Sequence, residues 1–134
     1  MPTTDIWTKV NSLADESQDT DLTVSPTLFG ERHEPSLRGS VTNITSTNTS
    51  LGSVYLALNR GIISNLHSMM SREFLLANGI TRIAASGTAV GKNAVLAREI
   101  ERQYRLPVVV SDSKQVDAAV GAALAMIDDV MSEK

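Results

Sequence analysis

The residues with the clearest chemical potential form a glycine-rich stretch, Ser86-Gly-Thr-Ala-Val-Gly-Lys-Asn93. This stretch follows a short apolar run and precedes a helical pattern. A turn of this kind presents free backbone N–H groups and the positive end of a helix dipole, which suit a phosphate group. The stretch is therefore a candidate nucleotide loop.

Two familiar nucleotide loops do not fit this stretch. A Walker A loop needs four residues between Gly and Gly-Lys, followed by Ser or Thr. Here three residues separate Gly87 from Gly91, and Asn93 follows Lys92. The dinucleotide pattern G-x-G-x-x-G is also absent. From the pattern alone, an ordinary strand-to-helix turn is as good an interpretation as a nucleotide loop.

A second candidate lies in the glycine- and proline-rich loop that contains Glu31 and Arg32. Charged residues in such a loop contact a ligand or brace an interface, because the backbone can approach closely there. An internal ion pair is the alternative. We expect Lys92 to be solvated rather than bound to a phosphate, and His67 to be structural because it lies close to an apolar helix face.

Composition excludes several classes of protein. The chain has 134 residues, a net charge of −3 and no cysteine. It is expected to form one small domain without disulfides, thiolate metal sites or a cysteine nucleophile. His33 and His67 are too far apart in sequence for a convincing metal site. No apolar run approaches the ~20 residues of a membrane span, and no basic stretch indicates nucleic acid. With no secretory pattern at the first residues, we expect a cytoplasmic protein.

The first part of the chain is expected to contain little regular structure. Residues 1–21 predict a polar, mobile leader, with a short helix through Ile6, Val10 and Leu13 as the alternative. A short strand at 22–24 and a loop to residue 39 follow. Residues 40–53 carry two glycosylation-like patterns, which we take as chance matches, and Asn48 or Ser50 is expected to cap the next helix.

The clearest element is an amphipathic helix of about five turns that begins near residue 51. Gly61 inside it indicates close packing against another backbone. A second short helix is expected to start at Ser71 and to stop at Asn78-Gly79. The long helix is expected to turn its apolar face to the core, and that face consists of Leu51, Val54, Leu58, Ile62, Leu66 and Met69.

The last third alternates between strands and helices. Strands are expected at 80–86 and 107–110, the second buried on both faces. Helices are expected at 92–104, with Leu96, Ile100 and Tyr104 on one face, and at 116–131. This order predicts an α/β fold with a parallel βαβα unit and a right-handed crossover. Ligands bind such sheets at the carboxyl ends of the strands, which is where the glycine-rich stretch lies.

Four segments in order resemble the FGGY carbohydrate kinases. The first is Leu28-Phe-Gly-Glu-Arg32 followed by Pro35, which is similar to a Gly-Glu-Arg-x-x-Pro loop. The second, from Arg38-Gly39 through Asn59-Arg-Gly61, resembles the second family signature, with Asn43 in place of a Gly. Ser86-Gly-Thr-Ala89 through Asn93 resembles the adenosine loop, and Val116-Asp-Ala-Ala-Val-Gly-Ala-Ala123 resembles the helix after it.

The resemblance implies two ribonuclease-H-like, actin-type lobes with ATP, Mg²⁺ and a sugar substrate between them. Residues 22–131 would be the ATP-lobe segment of the second lobe, with 1–21 as a leader and 132–134 as a tail. Glu31 and Arg32 would contact the substrate or the lobe interface. By the same resemblance, the adenosine pocket would be lined by Ser86, Gly87, Thr88, Ala89 and Asn93.

The family's phosphate loops and its catalytic Asp have no counterpart among these residues. We therefore expect the chain alone to lack kinase activity, to bind adenine nucleotide weakly at best and to self-associate. The alternative function is a non-catalytic α/β binding or interaction module.

Overall fold

The computed structural model describes residues 3–17 and 19–110. These residues form five helices and four short strands in a mixed α/β arrangement. In chain order they are α1 (Thr3–Glu16), β1 (Thr23–Ser25), β2 (Ser40–Thr42), α2 (Leu51–Met69), α3 (Arg72–Ala77), β3 (Ile83–Ala85), α4 (Thr88–Lys92), α5 (Ala94–Tyr104) and β4 (Val108–Val110).

Helix α1 corrects the expectation of an irregular leader, and the helical alternative is the one observed over Thr3–Glu16. Its partner is α2, which it approaches at Gly52. A Cβ built on Gly52 would lie 2.1 Å from the carbonyl oxygen of Leu13. Ala14 is buried in the same contact. Tertiary packing therefore stabilises a helix whose own sequence signal is weak.

Strands β1 and β2 form an antiparallel pair in which Val24 lies opposite Val41. The segment between them is irregular, as predicted, apart from one isolated bridge between Glu31 and Glu34. Strand β1 packs on α2 at Gly61, where a Cβ would lie 2.0 Å from the carbonyl oxygen of Val24. The close packing predicted for Gly61 is confirmed.

Helix α2 has the predicted bounds, and Ser50 caps it by accepting a hydrogen bond from the Ser53 N–H at 3.1 Å. The predicted core face is wrong, because most of its side chains are exposed. The face that packs against α1 and α5 is chosen by close backbone approach at Gly52 and by small residues instead. The buried residues of α2 are Gly52, Ser53, Leu56, Ala57, Asn59 and Ile63.

The second half of the described chain agrees with the predicted alternation. Ser71 caps α3, and Gly79 after it adopts a positive φ of 75°. Strands β3 and β4 pair in parallel, with Ile83 opposite Val108. Two details differ: the predicted loop contains the short helix α4, and β4 is not buried on both faces, since Val109 is 55% exposed.

Two clusters of buried side chains form the core, and α2 contributes to both. One joins Ile63 to residues of α3 and α5, and the other joins Leu56 to α1 and α5. The predicted apolar face of α5 is confirmed in part, because Leu96 and Ile100 pack against the first cluster. The clusters consist of Ile63, Leu75, Tyr104 and Leu106, and of Ala14, Leu56 and Val95.

Several expectations fall on residues outside the described part of the chain. These are the helix at 116–131, the family-like stretch Val116-Asp-Ala-Ala-Val-Gly-Ala-Ala123 within it and the tail at 132–134. Within residues 3–17 and 19–110, no helix is both long enough and apolar enough to cross a bilayer.

Candidate nucleotide loop and the helix that positions it

The loop Ser86–Ala89 follows the carboxyl end of β3 and is exposed along its whole length. Gly87 has a φ of 103°, which strains any other residue, so glycine is required for conformation. A Cβ on Gly87 or Gly91 would meet no atom of the described residues within 4 Å. Within this part of the chain the surface above the loop is therefore open, and its backbone is accessible to a ligand.

Asn93 lies beneath the loop, with its side chain buried. Its Oδ1 accepts a hydrogen bond from the Leu96 N–H at 3.1 Å, which caps α5. Its Nδ2 donates to Oδ1 of Asn59 at 2.7 Å. Both polar groups of this side chain are thus engaged within the chain. The structure brings Ser86–Ala89 to the surface and places Asn93 at their base.

Asn59, which the sequence analysis placed only in the second signature-like segment, is a neighbour of this loop. It is 2% exposed. Its Nδ2 donates a hydrogen bond to the backbone carbonyl of Tyr55 at 2.8 Å, and its Oδ1 accepts one from Nδ2 of Asn93. The buried pair Asn59–Asn93 therefore joins α2 to the start of α5. A buried amide on a helix is costly unless it is paired, so its presence inside an apolar pattern was the available signal.

The Tyr55 hydroxyl lies near this pair. Burial raises the pKa of Tyr55, and the nearby side-chain amides of Asn59 and Asn93 oppose the rise. In the geometry of the described residues the buried hydroxyl oxygen has no hydrogen-bond partner. The neutral phenol is the form that this environment favours.

Helix α1 also holds the base of the loop. Nδ2 of Asn11 donates to the backbone carbonyl of Lys92 at 3.1 Å. Lys92 is exposed, as expected for a solvated lysine. The α4–α5 junction is thus fixed from two directions, by Asn11 of α1 and by Asn59 of α2.

A network of charged side chains joins α2 to α5. Glu99 is buried, and its Oε2 accepts from Nε of Arg60 at 3.4 Å and from Arg102 at 3.1 Å. Arg60 also pairs with exposed Asp19 at 2.6 Å. The hydrogen bond from Arg60 lowers the pKa of the Asp19 carboxyl. Removing Arg60 would leave a buried carboxylate with poor compensation, so this network fixes α5 against α2.

The described residues form three notable cavities, and none of the five predicted nucleotide contacts lines any of these three. Two are polar clefts of about 590 and 690 Å³ that share Arg60 and Arg102. The third is an apolar groove of about 560 Å³ between the end of α2, α3, β3 and α5. The nucleotide loop lies instead on an open surface.

The second predicted pair, Glu31 and Arg32, lies at another part of α2. Oε1 of Glu31 accepts a hydrogen bond from Nδ2 of Asn65. Arg32 is exposed and forms no ion pair with any described residue. The alternative of an internal ion pair is therefore not observed in this part of the chain. Helix α2 therefore contacts both candidate segments, because Asn59 bonds Asn93 and Asn65 bonds Glu31.

Other side chains singled out by the sequence have structural partners. Nε2 of His67 accepts from the Arg72 N–H at 3.2 Å, and its ring meets that of Tyr104 edge-on at 5.0 Å. Its structural role is confirmed. Asn48 is buried, and its amide bonds Asp21 and Asn43, so it is no accessible glycan acceptor. Among the residues described, no three His, Asp or Glu side chains converge on a metal position.

Comparison with known proteins shows which proteins this chain is similar to. No protein-family model matches the chain. It is 43% identical over 129 residues to the sedoheptulokinases of Mus musculus and Homo sapiens, which covers 96% of this chain and 27% of each relative. The chain thus spans about a quarter of the length of the curated relatives that it matches.

Solved structures agree on the fold. A xylulose kinase from Rhodospirillum rubrum superposes with a TM-score of 0.64 and 17% identity, over 77% of this chain and 21% of that chain. A xyloylose kinase from Brucella ovis gives a TM-score of 0.67 and 21% identity, over 90% of this chain and 28% of that chain. At these identities the likeness defines the fold of a segment.

Sequence defines the class, and the fold agrees with it: the chain is similar along almost its whole length to a segment of an FGGY-type carbohydrate kinase. Within that class, the relatives that establish the relationship are sedoheptulokinases. The resemblance read from the four motifs is confirmed.

Proposed function

We propose that this chain supplies the adenosine side of the nucleotide site in a kinase that transfers a phosphoryl group from ATP to sedoheptulose. The 43% identity to sedoheptulokinase along 96% of the chain carries this proposal. The exposed loop at the carboxyl end of β3 supports it, because ligands bind parallel sheets at that end.

In phosphoryl transfer the protein mainly positions groups and neutralises charge. Here the positioning is done by a short backbone loop. The backbone of Ser86–Ala89 offers an open face to adenosine, while Asn93, held by Asn59, fixes its base. Asn93 acts in this proposal by holding the loop rather than by contacting the ligand, since its amide is already engaged.

Mg²⁺ would neutralise phosphate charge in such a site, but no cluster of three His, Asp or Glu side chains that could hold it lies in the described part of the chain. Nor do the described residues contain a buried, isolated carboxylate poised as a general base, because Glu99 is paired with Arg60 and Arg102. We expect no activity of the chain alone toward ATP and sedoheptulose, because the family's phosphate loops and catalytic Asp have no counterpart among these residues.

Titration of the labelled chain with ATP tests the proposal. Amide shifts of Gly87, Thr88 and Ala89 should move at millimolar ATP, and those of α1 should not. Thr88→Glu should remove the response by repelling the phosphates, whereas the control Thr81→Glu, also exposed, should preserve it. Shifts that ignore ATP, or that move equally in both variants, would contradict an adenosine role for this loop.

A second candidate function is a non-catalytic interaction module. The observation that favours it is the exposed apolar face of α2, which is independent of the loop. Binding of a protein partner without any response to ATP would support this candidate over the first.

A further inference from the structure

Helix α4 carries Thr88 and Ala89, two of the residues proposed to face adenosine, yet it is a weak element on its own. It has five residues, and isolated helices shorter than ~12–15 residues are marginal in water. None of its residues is buried, and no side chain caps its first turn. Contacts made by neighbouring elements therefore decide where this part of the loop lies.

The peptide group at the end of α4 is hydrogen-bonded on both of its edges. In the Lys92–Asn93 peptide, the N–H of Asn93 donates to the backbone carbonyl of Ala89 at 3.1 Å. The carbonyl of Lys92, on the opposite edge of the same plane, accepts a hydrogen bond from Nδ2 of Asn11 at 3.1 Å. A trans peptide is rigid and planar, so fixing the carbonyl also fixes the N–H. Asn11 thus acts on Ala89 through a single peptide plane.

Helix α1 holds Asn11 in place for this contact. Ala14, three residues further along the same helix face, is 1% exposed and belongs to the buried cluster that joins α1 to α2 and α5. Leu13 lies so close to α2 that a Cβ on Gly52 would be 2.1 Å from its carbonyl oxygen. Oδ1 of Asn11 is itself buried. The amide is therefore presented from a packed helix, with one side shielded from water.

We propose that Asn11 is a positioning residue of the nucleotide site and acts on the adenosine loop through the Lys92–Asn93 peptide. This inference rests on the proposed function, because that function gives the loop its nucleotide. It adds to the site an element, α1, that shares no residue with the four family-like segments. The two residues that it links are 81 positions apart in the sequence.

The chain contains a matched control for this proposal. Asp15, on the same helix, pairs with Arg98 of α5, and the two side chains are 57% and 50% exposed. This ion pair joins α1 to α5 at residues outside α4. Loss of Asp15 therefore separates the general attachment of α1 from the particular hydrogen bond to Lys92.

Titration of the labelled chain with ATP, followed at Gly87, Thr88 and Ala89, tests the role of Asn11. Asn11→Ala should raise the dissociation constant for ATP by about two- to tenfold, the range that one neutral hydrogen bond spans. Asp15→Asn should leave that constant unchanged. Alanine is a better helix former than asparagine, so a weaker α1 cannot explain the loss.

Hydrogen exchange separates positioning from a general loss of stability. In Asn11→Ala the Asn93 amide should exchange faster, because its peptide plane is freed. The Met70 amide, which bonds the Leu66 carbonyl at the end of α2, should exchange at its original rate. Faster exchange at both amides would overturn the proposal, since it would show a merely structural role.

The titration also distinguishes this inference from the proposed function. An unmodified chain that ignores millimolar ATP would overturn the proposed function, and this inference with it. A chain that responds to ATP and binds it as tightly after Asn11→Ala would overturn this inference alone. An equal loss in Asp15→Asn would overturn it as well, because the hydrogen bond to Lys92 would then have no special role.

Discussion

The two sides of α2 differ in how they use apolar residues. The inner side combines Leu56 and Ile63 with small and amide residues, and it packs against α1 and α5. The outer stripe, which consists of Leu51, Val54, Leu58, Leu66 and Met69, has larger apolar side chains that are mostly exposed. Close backbone approach at Gly52 fixes α1 against the inner side, since a Cβ there would overlap the Leu13 carbonyl oxygen. Hydrophobicity thus identifies the helix, while small residues identify its core side.

The largest difference between the two sides should come from truncating one leucine on each. Leu56→Ala removes a side chain that is 2% exposed and should cost about 2–5 kcal/mol of unfolding free energy. Leu58→Ala, two residues away on the outer stripe, should cost less than about 1 kcal/mol at low protein concentration. Urea unfolding of dilute samples measures both, and equal losses would contradict the assignment of the sides.

Glycine substitution should sharpen the same comparison through the backbone. Gly61→Ala places a Cβ 2.0 Å from the Val24 carbonyl oxygen and should destabilise the chain by about 1–3 kcal/mol. Gly91→Ala is the control, because its Cβ meets no neighbour within 4 Å and it removes flexibility from α4. That control should be stabilising by up to about 1 kcal/mol. Thermal unfolding of the two variants should shift in opposite directions.

The amides of α2 allow a third comparison. Asn59→Ala leaves Nδ2 of buried Asn93 without its partner and should cost about 1–3 kcal/mol. Asn65→Ala removes a partner of half-buried Glu31, which water can replace, so the cost should be smaller. Only Asn59→Ala should move the amide shifts of Ser86–Ala89. Unchanged loop shifts in that variant would show that Asn59 does not position the loop.

The smallest effect concerns the two tyrosines, Tyr55 of α2 and Tyr104 of α5. Burial raises the pKa of Tyr55 and of Tyr104 above the ordinary value of 10.0. A raised folded-state pKa means that this stability is fully present below pH 10 and is lost as the pH rises through the folded values. Absorbance titration should show phenolate forming at higher pH in the native chain than in urea. Coincident curves would contradict the burial of both rings.

The sequence predicted much of this fold because local signals and packing agree over most of the chain. The bounds of α2, the caps Ser50 and Ser71 and the parallel pair β3–β4 follow from spacing and turn chemistry. Helix α1 was harder to predict, because its stability comes from packing against Gly52. The core-facing side of α2 was predicted wrongly. The spacing of apolar residues points to the face with the largest apolar side chains, and here the core packs against a face with smaller residues.

The candidate site was predicted in part. The motifs located the loop and the kinase class, and the nucleotide contacts of Ser86–Ala89 stay predictions. The Asn59–Asn93 bond could not be predicted from pattern, since it joins residues that are 34 positions apart. Such a contact depends on how two helices meet, which requires the three-dimensional packing.

The central claim is that the inner side of α2 holds the chain together and, through Asn59, positions the loop Ser86–Ala89 for a nucleotide. Its most direct test is a titration with ATP, followed through the amide shifts of Gly87, Thr88 and Ala89 in the unmodified chain and in Asn59→Ala. The unmodified chain should respond at millimolar ATP, and Asn59→Ala should respond less. Shifts in the unmodified chain that ignore ATP would contradict the claim.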